Sequence, residues 1–257
     1  MVEWRLGALP TREWGIRLRR WPAALRLYVV EVREARAAKA ALGGVVPRGD
    51  VVTVIPTYRR PELLVRAVRS ALDQSIADHH IVVVADGEPV ALDLRDDRLT
   101  VVALRHRRGS PALARNVGMR ISRSRLVAFL DDDNTWTSDH LDRLVAALDG
   151  GAALAYSRIA WTDPDGMTRA ELCLPYDRET LRDVNYVDAS AIVLRRGSHR
   201  FFSRLPRHRN DGSYEDWEIA WRIGRRHRVC HVAVVTVNVT VHDGSHFMVA
   251  DESRAGP

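Results

Sequence analysis

Apolar residues change their spacing from one segment of the chain to the next, and this spacing predicts its elements. Short apolar runs such as residues 51–55 and 126–130 are typical of strands that are buried on both faces. Between these runs, apolar residues recur at intervals of three and four, which predicts amphipathic helices. The alternation predicts an α/β fold with a mostly parallel central sheet flanked by helices.

Residues 51–150 carry the clearest alternation. The predicted strands are 51–55, 81–85, 99–104 and 126–130. The predicted helices begin at Pro61, at Pro111 after Ser110, and after a cap at Ser138. After Gly150 the pattern predicts strands at 152–161, 167–173, 187–194 and 229–241, a turn at 163–166, a polar loop at 204–213 and a helix at 215–223.

Residues 1–48 differ from the rest because tryptophan and arginine alternate through their first part. Pro22 is predicted to open a helix that runs to Leu42 and is closed by two glycines. Leu25, Val29 and Val32 recur at helical spacing and predict its apolar face. Two interpretations stay open: a helix packed on the main domain or on a second subunit, and a basic amphipathic anchor on an anionic membrane surface.

Composition excludes several classes of protein. Of the 257 residues, 46% are hydrophobic and 28% charged, as in ordinary globular proteins. The net charge of +6 comes almost wholly from arginine, with Lys39 the only lysine, and no nucleic-acid-binding motif accompanies it. Cys173 and Cys230 lie far apart, which favours reduced thiols. No apolar run or leader segment indicates a membrane protein, so we expect a cytoplasmic location, with peripheral contact to the inner membrane face as an alternative.

Three consecutive carboxylates, residues 131–133, follow the apolar run that ends at Leu130. Neighbouring carboxylates repel one another, and a hard divalent cation shared with a phosphate-bearing substrate would offset their charge. The alternative is a solvated acidic turn that caps the next helix. Asp86 and the segment 56–58 also follow predicted strands, and ligands of open α/β sheets bind at the carboxyl ends of the strands. The shared location favours the metal interpretation.

Five segments of the chain resemble the inverting family 2 glycosyltransferases of GT-A fold. They are 54–60 (VIPTYRR), 84–87 (VADG), 114–118 (ARNVG), 129–133 (FLDDD) and 214–217 (YEDW). The resemblance covers about residues 50–245, and each motif is weak when taken alone. The second motif departs from the family pattern, because Ala85 stands where a first aspartate is usual, and this leaves the identity of the nucleotide base open.

The resemblance implies a donor site and a metal site. Its Asp-x-Asp motif implies that Asp131 and Asp133 bind Mg²⁺ or Mn²⁺, and His242 would lie near the same ion. The nucleotide-sugar site would contain Pro56, Thr57, Tyr58, Asp86, Arg115, Asp131 and Asp132. Asp132 is the spacer of the motif and is the member that could point away from the ligand.

The same resemblance implies that Asp216 is the catalytic base, which takes the proton of the acceptor hydroxyl. A helix N-terminus would favour its ionised form. Glu215 and Asp216 acting only as helix caps is the alternative, and Glu218 is a competing base that we expect to face solvent. Glu215 and Trp217 are weak candidates for acceptor contact, and packing beneath the helix is the alternative for Trp217.

We therefore predict a metal-dependent inverting glycosyltransferase that uses a nucleoside diphosphate sugar, with UDP-sugar favoured, and an acceptor hydroxyl. Its predicted parts are a helical extension (1–48), a nucleotide-sugar-binding half (49–150) and an acceptor and catalytic-base half (151–257). The alternatives are a nucleotidyltransferase that makes sugar nucleotides, and a non-catalytic basic protein that binds a membrane or nucleic acid. A homodimer through residues 1–48 is a further expectation.

Overall fold

The computed structural model describes residues 13–162, 168–172, 174–183, 185–197, 201–203 and 215–240. His242 lies outside the described residues, as does Cys173. The predicted turn at 163–166 and the predicted polar loop at 204–213 also lie outside them.

Helices and strands alternate through the described part of the chain. The helices are α1 Glu13–Ala41, α2 Pro61–Leu72, α3 Pro111–Ile121, α4 His140–Asp149, α5 Arg178–Asp183 and α6 Glu215–Gly224, with a 3-10 helix at Ala189–Ala191. The strands are β1 Val51–Thr57, β2 His79–Ala85, β3 Leu99–Ala103, β4 Leu126–Phe129, β5 Asn134–Trp136, β6 Leu154–Thr162, β7 Thr168–Leu172, β8 Ile192–Arg195 and β9 Val229–Thr240.

These strands form one sheet in the order β3-β2-β1-β4-β8-β6-β9-β5, and β7 pairs with β6. The first four strands in this order are parallel. β8 is antiparallel to both β4 and β6, and β6 is parallel to β9. Because parallel strands end at the same edge, the segments that follow β1, β2 and β4 meet there. The predicted α/β fold class is confirmed.

Two hydrophobic cores lie on the two faces of the sheet, because successive strand residues point to opposite sides. In β1, Val52 and Val54 belong to one core, whereas Val51 and Ile55 belong to the other. The first core includes residues of α1, α3 and α6, and the second includes residues of α2 and α4. At Gly118 of α3 an added Cβ would lie 2.4 Å from Cγ1 of Val54, so the lack of a side chain lets α3 sit directly on β1.

The start and the packed face of α1 differ from the prediction. The helix begins at Glu13, and Pro22 lies inside it rather than at its first position. It ends as predicted, since Gly43 and Gly44 follow it with φ values of 59° and 89°. Leu25 and Val29, which were predicted to form the packed face, are exposed.

The packed face of α1 instead carries the buried residues Glu31, Glu34, Ala35 and Ala38, and lies on α3 and β3. Hydrophobic spacing missed this face because half of it consists of glutamates that find partners in the main domain. Glu31 accepts hydrogen bonds from Arg120 Nε at 2.6 Å and from Asn116 Nδ2 at 2.9 Å. This part of α1 therefore packs on the main domain, and the membrane and second-subunit contacts stay predictions.

Two other predicted elements were wrong in detail. The residue before α4 is Asp139 rather than Ser138. The predicted strand 187–194 begins instead with a 3-10 helix, because the side chain of Asp188 accepts a hydrogen bond from the backbone N–H of Ser190 at 2.7 Å and turns the chain. Among the described residues, no helix is long and apolar enough to span a bilayer.

Candidate active site

The acidic triplet begins two residues after β4, next to the carboxyl end of β1. Thr57 Oγ1 donates a hydrogen bond to Asp132 Oδ2 at 2.7 Å, and both side chains are buried. Asp132 therefore points into the protein and ties the turn after β4 to β1. β5 separates the triplet from α4, so the triplet does not form the helix cap considered as its alternative.

Arg60, at the start of α2, supplies positive charge to the triplet. Its Nη1 lies 2.7 Å from Asp133 Oδ2 and 3.4 Å from Asp132 Oδ1. Burial raises the pKa of Asp132 to about 6, although the hydrogen bond from Thr57 acts in the opposite direction. Sequence reasoning did not single out Arg60, because one arginine in an arginine-rich chain carries little signal.

Arg115 connects the end of β4 to the start of α6. Only 3% of its side chain is exposed. One terminal nitrogen donates to Glu215 Oε1 at 2.8 Å, and the other pairs with Asp131 Oδ1. Its guanidinium carbon lies 5.1 Å from the ring centre of Phe202. Arg115 thus brings together two predicted site segments, the acidic triplet and the first turn of α6, that are far apart in sequence.

Asp216 shares this edge of the sheet with other carboxylates. Burial raises its pKa well above the usual range, and the charges of Glu215 and Asp188 raise it further. We expected the helix N-terminus to favour the ionised form, but loss of solvent and the acidic neighbours outweigh that effect. A carboxylate with a raised pKa is a better proton acceptor than an exposed one.

Asp188 is an acidic residue of this site that sequence reasoning missed. Burial and the charge of Asp131 raise its pKa to about 6. Ser190, two residues further on, accepts the backbone N–H of Asp131 at 3.2 Å and the amide of Asn134 at 2.8 Å. The apolar spacing of 187–194 predicted a strand and gave no reason to treat Asp188 as a site residue.

Asp86, just past the end of β2, holds the loop 105–109. Its two carboxylate oxygens accept the backbone N–H groups of Arg108 and Gly109, each at 2.7 Å. Each oxygen has a second lone pair that can still accept a hydrogen bond from a ligand. Next to it, the ring of Tyr58 lies 4.4 Å from the guanidinium carbon of Arg107.

Two residues of α6 are less accessible than the roles considered for them require, which were acceptor contact for Trp217 and base catalysis for Glu218. Trp217 is 3% exposed, and its Nε1 donates to the carbonyl of Leu181, which favours the packing alternative. Glu218 was expected to face solvent, yet it is buried and pairs with Arg222 Nε at 2.8 Å. Its carboxylate is therefore engaged, which leaves Asp216 as the better candidate base.

The carboxylate oxygens at this edge of the sheet suit a divalent cation that binds together with a phosphate-bearing substrate. The described residues hold no group of three or more histidine, cysteine or acidic side chains arranged to bind a metal by themselves. Mg²⁺ is commonly held by one or two carboxylates together with substrate phosphates. Asp131 and Asp133 provide two carboxylates, and Arg60 and Arg115 now offset their charge.

The fold is that of a GT-A protein, as comparison with solved structures confirms. The chain belongs to the glycosyl transferase family 2, which matches residues 52–197. Among curated relatives, succinoglycan biosynthesis proteins ExoO and ExoW of Rhizobium meliloti are 36% identical over 123 residues and 37% identical over 100 residues. The matches cover 46% and 35% of this chain, and only 35% and 31% of those proteins.

Two solved structures illustrate the shared fold. Residues 1–349 of S. aureus TarS, in complex with UDP-GlcNAc, match 77% of this chain and 60% of that chain with a TM-score of 0.56 and 15% identity. Mannosyltransferase PcManGT from Pyrobaculum calidifontis, in complex with GDP-Man and Mn²⁺, matches 86% and 67% with a TM-score of 0.54 and 18% identity. At these identities the likeness extends to the fold alone.

Proposed function

We propose that this chain transfers a sugar from a nucleoside diphosphate sugar to an acceptor hydroxyl, with inversion, and that Asp216 is the general base. The observation that carries the proposal is the bridge made by Arg115 between Asp131 and Glu215. The bridge joins the acidic triplet to the first turn of α6, so that the proposed donor site and the proposed base share one edge of the sheet.

The donor nucleotide would bind across the carboxyl ends of β1 and β2. Tyr58 provides an aromatic face for the base, and the free lone pairs of Asp86 can accept its N–H groups. Pro56 and Thr57 end β1 beside them, and a UDP-sugar is our preferred donor. The UDP-GlcNAc and GDP-Man complexes of the fold neighbours support a nucleotide sugar as the donor class.

Asp131 and Asp133 would hold Mg²⁺ or Mn²⁺ together with the donor diphosphate. When bound, such an ion offsets the diphosphate charge and stabilises the leaving nucleoside diphosphate. His242 stays a predicted additional ligand. Arg60 and Arg115 already contact the triplet and lie where they can meet the same negative charge.

Asp216 would take the proton of the acceptor hydroxyl as the acceptor oxygen bonds to the anomeric carbon. The bond between that carbon and the phosphate oxygen breaks on the opposite face, and its electrons leave with the nucleoside diphosphate. Because burial, Glu215 and Asp188 raise its pKa, the Asp216 carboxylate has an increased proton affinity. Glu215 is held by Arg115 and positions this turn of α6.

The test is product analysis with a panel of UDP- and GDP-sugars, Mn²⁺ and simple glycoside acceptors. We expect release of nucleoside diphosphate and a product whose anomeric configuration, measured by NMR, is opposite to that of the donor. Chelation of the metal should abolish turnover. Retention of configuration would contradict the role of Asp216, and pyrophosphate release from a nucleoside triphosphate and a sugar phosphate would favour the nucleotidyltransferase alternative.

A further inference from the structure

Helix α1 lies outside the segment that matches the family, yet it buries a carboxylate against the donor side of the sheet. Only 1% of the Glu34 side chain is exposed. Its Oε2 accepts the backbone N–H of Arg105 at 2.9 Å, and its Oε1 pairs with Arg108 Nη2. One side chain of α1 thus holds the loop 105–109 at two points.

The opposite side of the same loop faces Asp86 and Tyr58, the residues proposed to contact the nucleotide base. The backbone N–H groups of Arg108 and Gly109 cap Asp86, and the guanidinium of Arg107 lies against Tyr58. A Cβ built at Gly87 would lie 2.2 Å from the backbone nitrogen of Arg107, so the loop sits directly on the turn after β2. Arg108 therefore contacts Glu34 with its side chain and Asp86 with its backbone.

We propose that α1 is part of the donor site and that Glu34 is a positioning residue for nucleotide binding, because it fixes the loop 105–109 against Asp86 and Tyr58. The inference rests on the proposed function, since it takes Asp86 and Tyr58 as contacts of the nucleotide base. It gives the N-terminal helix a role in donor affinity.

We expect loss of the Glu34 contacts to weaken binding of the nucleotide base and to leave binding of the diphosphate unchanged. Glu34 makes charge-assisted hydrogen bonds, and their loss leaves the loop 105–109 held from the side of Asp86 and Tyr58 and only weakly from the side of α1. The acidic triplet and Arg60 follow β4 and β1, and their contacts, Thr57 with Asp132 and Arg60 with Asp133, do not involve the loop 105–109. Weaker binding of a nucleoside diphosphate with unchanged binding of pyrophosphate would therefore identify a positioning role at the base.

The experiment compares wild type with Glu34→Gln, Arg108→Gln and the double variant, all as full chains. Asp50→Asn is the matched control, because Asp50 also pairs with an arginine, Arg125, through two hydrogen bonds, but lies before β1 at the other edge of the sheet. Affinities for UDP, GDP and inorganic pyrophosphate are measured by calorimetry with Mn²⁺. Hydrogen exchange of the loop 105–109 is measured without ligand.

We expect Glu34→Gln to raise the Kd of the preferred nucleoside diphosphate about tenfold and to leave that of pyrophosphate within about twofold. The amides of Arg108 and Gly109 should exchange faster. The double variant should lose no more affinity than Glu34→Gln, because Glu34→Gln already disrupts the ion pair with Arg108. If Glu34→Gln does not fold, the same shift in Arg108→Gln supports the inference.

Equal nucleotide affinity in wild type, Glu34→Gln and Arg108→Gln would overturn the inference while leaving the proposed function intact. A parallel loss of pyrophosphate affinity would also overturn it, since the effect would then be general. A wild-type protein that binds neither UDP nor GDP would overturn the proposed function and the nucleotide role of Glu34 together. In that case faster hydrogen exchange of the loop 105–109 in Glu34→Gln would show that Glu34 holds the loop, although the loop would have no role in nucleotide binding.

Discussion

Replacing Asp216 by asparagine is expected to lower kcat by roughly 10²- to 10⁴-fold while the KM for the donor changes little. Asparagine has nearly the same shape but cannot take a proton from the acceptor hydroxyl. The substitution also removes a carboxylate whose ionised form is disfavoured by burial and by the charges of Glu215 and Asp188. We therefore expect the variant to unfold at the same or a higher denaturant concentration than wild type at neutral pH.

The pH dependence gives a second readout of the same variant. Because the folded-state pKa of Asp216 is raised, ionised Asp216 destabilises the native protein above that pKa, and the cost disappears as the pH falls through it. Wild-type activity should fall as the pH drops through the raised pKa of Asp216, and the residual activity of Asp216→Asn should lack this step. Asp142→Asn is the matched control, since Asp142 is an exposed first-turn carboxylate of α4 and should leave turnover unchanged. Activity of Asp216→Asn close to wild type would contradict the assignment.

Arg115→Gln is expected to lower the free energy of unfolding by about 3–5 kcal/mol and to abolish turnover. The substitution leaves Asp131 and Glu215 without their shared cation, and the pKa of Asp131 is already raised by burial despite Arg115. Arg115→Lys should fall between wild type and Arg115→Gln, because a lysine ammonium cannot span both carboxylates with a planar fork. Urea unfolding measures both variants.

Arg125→Gln is the control for Arg115→Gln. Like Arg115, Arg125 makes two hydrogen bonds to carboxylate oxygens, but both oxygens belong to Asp50 and the Arg125 side chain is 46% exposed. Exposed pairs contribute at most about 1 kcal/mol. If Arg115→Gln were no more destabilising than Arg125→Gln, Arg115 would not be the element that holds α6 to the triplet.

The fold could be predicted from the sequence because strands β1, β2 and β4 of the parallel half are rich in apolar residues and nearly all buried. Segments of this kind are characteristic of strands covered on both faces. Short elements were missed because periodicity needs length: β5 has three residues and α5 has six. The first turns of α1 were missed because Pro22 was taken as a helix start, although the helix continues through it.

Residues of the candidate site could be proposed from the sequence where they closely follow a strand, as the triplet does, and not where they act through partners. Asp188 was hidden in an apolar segment whose backbone turns only because its own side chain caps the turn. The burial of Glu31 and Glu34 could not be predicted, since sequence alone does not show that arginine and asparagine partners lie opposite. Buried ion pairs reverse the usual inference from polarity to exposure.

The most direct measurement is calorimetric titration of UDP and GDP into wild type and Asp133→Ala, each with Mn²⁺ and with chelator. The proposed donor site predicts that one of the two nucleotides binds wild type in the presence of Mn²⁺, and that the chelator and Asp133→Ala each weaken this binding at least about tenfold. Equal affinity with chelator, or in Asp133→Ala, would contradict a metal-dependent donor site at the acidic triplet.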